Sequence, residues 1–141
     1  MERNMRADEK SIEALCEALD EEYRSRATYR SIIDAFGPVP PFVNIVEAEE
    51  RHANALINLL VSFGVEPPTD KWAGCVVAPS TLREACEAGV KGEIENAAMY
   101  ERLLAQITDV RAREVMRRLQ EASQERHLPA FRRGLERESR K

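Results

Sequence analysis

Residues 65–79, VEPPTDKWAGCVVAP, carry three prolines and show no helical period. Proline lacks a backbone N–H and fixes φ, so this stretch cannot continue a helix. Fully extended it reaches about 50 Å, enough to run the length of a helix pair. It is flanked on each side by two runs in which apolar residues recur every third or fourth position, the spacing of an amphipathic helix. The first run holds Ile12, Leu15, Leu19, Tyr29, Ile33 and Phe36, and Gly37-Pro38 ends it. The second holds Phe42, Ile45, Leu56, Leu59 and Phe63. Leu82, Cys86, Tyr100, Leu103 and Ile107 mark the third, and Met116, Leu119 and Phe131 the fourth.

These runs predict helices over about 9–36, 41–64, 80–107 and 109–137 of a single 141-residue domain. The GPVPP turn at 37–41 is short enough to force an antiparallel return. Ser80 or Thr81 can cap the third helix, with Glu84 placed for a capping box on Thr81, and Thr108-Asp109 is a cap signal for the fourth. Pro129 inside the fourth helix predicts a local kink. The order short link, long link, short link describes an all-α antiparallel four-helix bundle whose second connection spans the bundle.

Charged residues make up 33% of the chain and aromatics 6%, which favours helix over sheet. The net charge of −4, with both signs interspersed, offers no basic face for nucleic acid. No apolar run approaches the roughly 20 residues that span a bilayer, and MERNMRADEK is too charged for a signal peptide. Cys16, Cys75 and Cys86 are odd in number and never spaced C-x-x-C, so they form neither a disulfide framework nor a rubredoxin-type or zinc-ribbon site. A cytoplasmic protein with reduced thiols is expected, without nucleic-acid or membrane partners.

Each apolar stripe is broken midway by polar residues: Glu22 in the first, Glu49 and His52 in the second, Glu93 and Asn96 in the third, Ser123 and His127 in the fourth. A buried, unpaired carboxylate costs several kcal/mol, so these residues need a compensating charge, and a metal ion would supply it. Residues three apart project to one side of a helix, so Glu49 and His52 can bind one cation, with Glu22 and Glu93 approaching from neighbouring helices. Carboxylate plus imidazole suits iron or manganese and can accept zinc. Glu47 and Glu50 fall off the stripe and belong to solvent.

The halves of the chain also repeat. EEYRSRATYRSII (21–33) aligns with GEIENAAMYERLL (92–104) at an offset of 71, placing Glu22 on Glu93 and Tyr29 on Tyr100. At an offset of 75, His52 falls on His127. Tyr29 and Tyr100, two turns from the glutamates, are candidates for hydrogen-bond donors to the site or for redox-active groups. Gly89 and Gly92, each costing roughly 1 kcal/mol against Ala inside a helix, point to close helix packing. Arg26, on the stripe with Glu22, reads as an arginine snorkelling out of the bundle.

EEYRSRATY, FVNIVEAEERHANAL, GEIENAAMY and LQEASQERHLPAF together resemble the ferritin-like superfamily, in particular rubrerythrin-type di-iron carboxylate bundles and a group of bacterial ferritin-like proteins. The resemblance covers about residues 20–135. It implies a ferritin-like four-helix bundle with a dinuclear iron site and redox chemistry on O2 or H2O2. Glu22 and Glu93 would then be the single carboxylates of the first and third helices, and Glu49 and His52 the Glu-x-x-His pair of the second. The fourth helix departs, because the usual glutamate three residues before His127 is Gln124. Glu121, one turn earlier, is a candidate to lean in, and Ser123 to hydrogen-bond His127 or hold a water. A dinuclear site with an altered bridge, a mononuclear site and a degenerate bundle all stay open.

The expected activity is oxidation of Fe(II) by O2 or H2O2, with iron storage or a non-enzymatic bundle as alternatives. Lacking rubredoxin-like cysteines, the protein would take electrons from a separate donor. With no length for a fifth helix after about residue 137, a homodimer or small homo-oligomer is expected rather than a storage shell.

Overall fold

A computed structural model describes the backbone over residues 2–141 and the side chains over 9–141. It is an antiparallel four-helix bundle: α1 (Glu2–Phe36), α2 (Phe42–Ser62), α3 (Leu82–Leu104), and a fourth rod made of α4 (Val110–Glu121), a π-helical turn (Ala122–His127) and α5 (Leu128–Ser139). Among the described residues there is no strand. Helix α1 begins at Glu2 rather than near residue 9, and the fourth rod runs on to Ser139.

The capping chemistry is local. Thr81 accepts a hydrogen bond from the Glu84 N–H at 3.1 Å and Asp109 from the Ala112 N–H at 2.9 Å, each satisfying a donor that a helix start leaves unpaired. Helix α3 stops at Leu104, short of the expected residue 107, and Arg113 donates to the Leu104 and Ile107 carbonyls at that end. Gly37, at φ +90°, takes the left-handed conformation that turns the chain from α1 into α2.

The kink expected at Pro129 takes the form of the π-helical turn just before it. In a regular helix the proline ring would crowd the carbonyl four residues earlier. Here the Leu128 N–H reaches back five residues to the Ser123 carbonyl, and the widened turn absorbs the conflict.

The crossover does not hang free. Tyr23 donates from its hydroxyl to the Pro68 carbonyl at 3.5 Å, Arg26 pairs with Asp70 at 3.0 Å, and Trp72 Nε1 donates to Asp20 at 3.0 Å. Arg26 is therefore no snorkelling side chain: its head is held by the crossover and stacks over the Tyr23 ring.

Two apolar clusters fill the bundle. One gathers Leu15, Leu19, Leu56, Leu60, Leu103, Met116 and their neighbours; the other gathers Tyr29, Ile32, Phe42, Ile45, Cys86 and Phe131. Gly89 permits the second cluster, since a Cβ there would fall 2.5 Å from the Phe131 ring. Between the clusters lies a buried polar layer containing Glu22, Glu49, Glu93, Asn96, Ser123 and His127.

Candidate metal centre

Every helix of the bundle delivers part of this layer. Glu22 comes from α1, Glu49 and His52 from α2, Glu93 from α3, and His127 from the end of the π-helical turn. The donors form two groups of three, Glu22–Glu49–His52 and Glu49–Glu93–His127, with the potential ligand atoms of each group within 4.8 Å of one another. Glu49 belongs to both. Its Oε1 lies 3.5 Å from His127 Nδ1 and its Oε2 lies 3.9 Å from His52 Nδ1, so its two oxygens face one histidine each. His52 Nδ1 is also 3.6 Å from Glu22 Oε2, and His127 Nδ1 is 3.1 Å from Glu93 Oε1. The imidazole rings stack with centroids 5.6 Å apart. All five are buried except His52, whose side chain is 13% exposed.

The tyrosines of the repeat are crossed over. Tyr29 on α1 donates to Glu93 Oε2 on α3, and Tyr100 on α3 donates to Glu22 Oε1 on α1, both at 2.6 Å. Seven residues of helix separate each tyrosine from the glutamate on its own helix by about 10 Å, beyond side-chain reach. The antiparallel partner brings the other glutamate alongside. Burial first, and then the adjacent carboxylates, hold both phenols well above their ordinary range, so the tyrosines are neutral donors.

The layer is electrostatically incomplete. Among the described residues, no lysine or arginine pairs with Glu22, Glu49 or Glu93. Glu22 Oε2 and Glu49 Oε2 are buried without any hydrogen-bond partner. Burial pushes the Glu49 carboxyl well above its usual range, and the charges of Glu22 and Glu93 push the same way. Burial also acts to raise Glu22, but the Glu49 carboxyl, His52 and the Tyr100 hydroxyl outweigh it and hold Glu22 down at about 2. The two carboxyls thus shift in opposite directions in one dry space, Glu49 upward and Glu22 downward. Orphaned carboxylate oxygens facing imidazoles are the donor set a transition-metal cation satisfies, and iron, manganese and zinc all accept this mixture of oxygen and nitrogen.

The fourth-helix residues are distributed differently from the expectation. Gln124 and Glu121 are exposed and line a surface groove with Arg117 and Glu125, away from the donors. The cause is the π-helical turn: with bonds to the fifth residue back, the position four before His127 comes inward and the position three before turns out. Ser123 is therefore the buried one, and its Oγ donates to Asn96 Oδ1 at 2.7 Å rather than bonding His127.

No helix among the described residues is long and apolar enough to cross a membrane. No protein-family model matches the sequence, and neither does any curated protein. Solved structures do. A hypothetical protein from Methanococcus jannaschii superposes with a TM-score of 0.82 at 22% identity, over 91% of this chain and 81% of that one. A conserved hypothetical protein from Mycobacterium tuberculosis gives 0.77 at 19% identity, over 92% and 93%. A bacterioferritin from Desulfovibrio desulfuricans, whose diiron site is described in different catalytic states, gives 0.81 at 23% identity, over 96% and 84%. In fold, the chain is a ferritin-like four-helix bundle.

Proposed function

We propose that the bundle holds two iron ions, one in each group of three donors, with Glu49 shared between them, and that it oxidises Fe(II) with O2 or H2O2. Manganese and zinc fit the same donors. The observation that carries this reading is the pair of orphaned, buried carboxylate oxygens on Glu22 and Glu49. A degenerate bundle would keep three carboxyls crowded in its interior, two of their oxygens without a hydrogen-bond partner, at a cost of several kcal/mol. The likeness to a bacterioferritin with a diiron site supports the choice of iron.

In this reading, bound iron supplies the electrons that reduce oxygen or peroxide, and carboxylate donors favour its ferric state. The protein supplies the rest. Tyr100 and Tyr29 fix the orientation of Glu22 and Glu93, limiting them to one geometry. Glu49 spans the two groups. The apolar clusters on either side exclude bulk water, while partly exposed His52 marks the side from which a small oxidant arrives.

We further propose a cytoplasmic homodimer or small oligomer, and a separate electron donor, the last because Cys16, Cys75 and Cys86 are free thiols without the C-x-x-C spacing of a rubredoxin-type site. The test is to add Fe(II) to metal-free protein and follow the ferric absorbance after O2 or H2O2. Wild type should oxidise iron faster than buffer, and Glu49→Ala should not. Equal rates for the two proteins would contradict the proposal, and a 24-subunit particle by size-exclusion chromatography would favour storage.

A further inference from the structure

Among the described residues, the hydrogen bonds that tie the crossover to a side chain of the bundle all fall within one short stretch of α1. They reach Asp20, Tyr23 and Arg26, and Lys71 approaches Asp20 as well, at 3.7 Å. These positions span about two turns of helix, and Glu22 lies among them. Tyr100 holds the Glu22 carboxylate from the bundle interior, so this stretch is gripped from within at Glu22 and from the crossover at its flanks. The outer ties are largely buried: Arg26 and Asp70 are only 15% and 16% exposed, and Trp72 packs against the first apolar cluster.

The other helix of the repeat has no such support. The offset of 71 that places Glu22 on Glu93 places Asp20, Tyr23 and Arg26 on Lys91, Ile94 and Ala97. Among the described residues, no side-chain hydrogen bond joins the crossover to α3, and Ile94, where α1 has the buried Tyr23, is 47% exposed. One donor group is strapped and the other is not. The difference bears on metal affinity, because Glu22 and Glu49 crowd each other and any outward give of α1 would carry Glu22 away from Glu49 and His52.

We propose that the crossover is a strap that positions Glu22, with Asp70 and Trp72 as its positioning residues. It strengthens metal binding by the Glu22–Glu49–His52 group and leaves the Glu49–Glu93–His127 group untouched. The inference rests on the dinuclear reading above. Coupling of this kind is reciprocal, so an ion bound in the first group also tightens the strap. Trp72, the only tryptophan of the chain, reports it.

Zinc(II), which undergoes no redox change, is the probe. After removal of excess metal, wild type should retain two zinc ions per chain, His127→Ala one in the Glu22 group, and His52→Ala one in the Glu93 group. In the His127→Ala chain, adding Asp70→Asn or Trp72→Phe should weaken zinc about fivefold in competition with a chelator, the scale of changes transmitted through packed elements. In the His52→Ala chain the same substitutions should leave zinc affinity unchanged. Trp72 emission should shift when zinc binds to His127→Ala and stay constant when it binds to His52→Ala. A general loss of stability would affect both chains alike. Equal weakening in the two chains, or none in either, would therefore overturn the strap while the two metal sites stand, and so would emission that responds alike in both. Fewer than two zinc ions in wild type, or none in either single-histidine variant, would overturn the dinuclear reading, and the strap with it.

Discussion

In the first hairpin Glu49 and His52 stand three residues apart on a regular turn of α2, and both reach the polar layer. In the second, the residue three before His127 faces solvent and Ser123 takes the inward place. Both hairpins still deliver one glutamate from their first helix, Glu22 or Glu93, and one histidine from their second. The donors thus follow the repeat while the backbone does not. A π-helical turn shifts the face of one rod by about one residue, and with it exchanges a ligand position for a neutral hydroxyl.

The two hairpins meet at Glu49, which belongs to both donor groups. Glu49→Ala should abolish both metal sites, whereas His52→Ala and His127→Ala should each lose one, as counted by metal analysis of the purified variants. Glu49→Gln should also raise the thermal midpoint of metal-free protein, since it removes a carboxyl that burial disfavours. The gain should be on the order of 1 kcal/mol.

The crossed tyrosines test the two hairpins next. Tyr29→Phe and Tyr100→Phe each leave a buried carboxylate without its donor, and each should weaken metal binding about 10- to 100-fold in competition with a chelator. Equal effects would mean that the hairpins are equivalent at this level despite the π-helical turn. Packing differs more modestly. The place of Gly89 is taken in the first hairpin by Ala18, which is buried without difficulty. Gly89→Ala should destabilise the protein by about 1–3 kcal/mol in urea unfolding, because the new methyl meets the Phe131 ring. Phe131→Leu in the same chain should recover part of the loss.

The smallest effect concerns the crossover, which is tied to α1. Burial alone would raise the Asp70 carboxyl, but the Trp72 and Ala73 N–H groups and the Arg26 guanidinium outweigh it and lower it. A carboxyl lowered in the folded state stabilises the protein above its unfolded pKa of about 4, and that contribution is lost as pH falls through the folded value. Asp70→Asn should therefore lower the thermal midpoint at pH 7 by a few degrees. The difference from wild type should shrink below about pH 4. A pH-independent difference would show that the amide's shape, and not the charge, matters there.

How much of this was legible in the sequence follows from which physics is periodic. Apolar residues and polar breaks at helical spacing place Glu22, Glu49, His52 and Glu93 on one layer, and Thr81 and Asp109 announce their caps. A period of 3.6 carried through the π-helical turn puts Gln124 beside the donors, where the structure has Ser123; Pro129, which a regular helix cannot accommodate, is the residue of the sequence that marks this turn. The exchange of tyrosine partners is invisible along one helix, since it depends on the antiparallel pairing of α1 with α3. The crossover's contacts to Asp20, Tyr23 and Arg26 come from a segment without any period, so nothing in its spacing points to them.

In the proposed centre the layer holds two metals that share Glu49. Protein purified without chelator, loaded with Fe(II) under anaerobic conditions and freed of excess, should contain two iron ions per chain, falling to none in Glu49→Ala. One ion or none in wild type, or two in the variant, would contradict it.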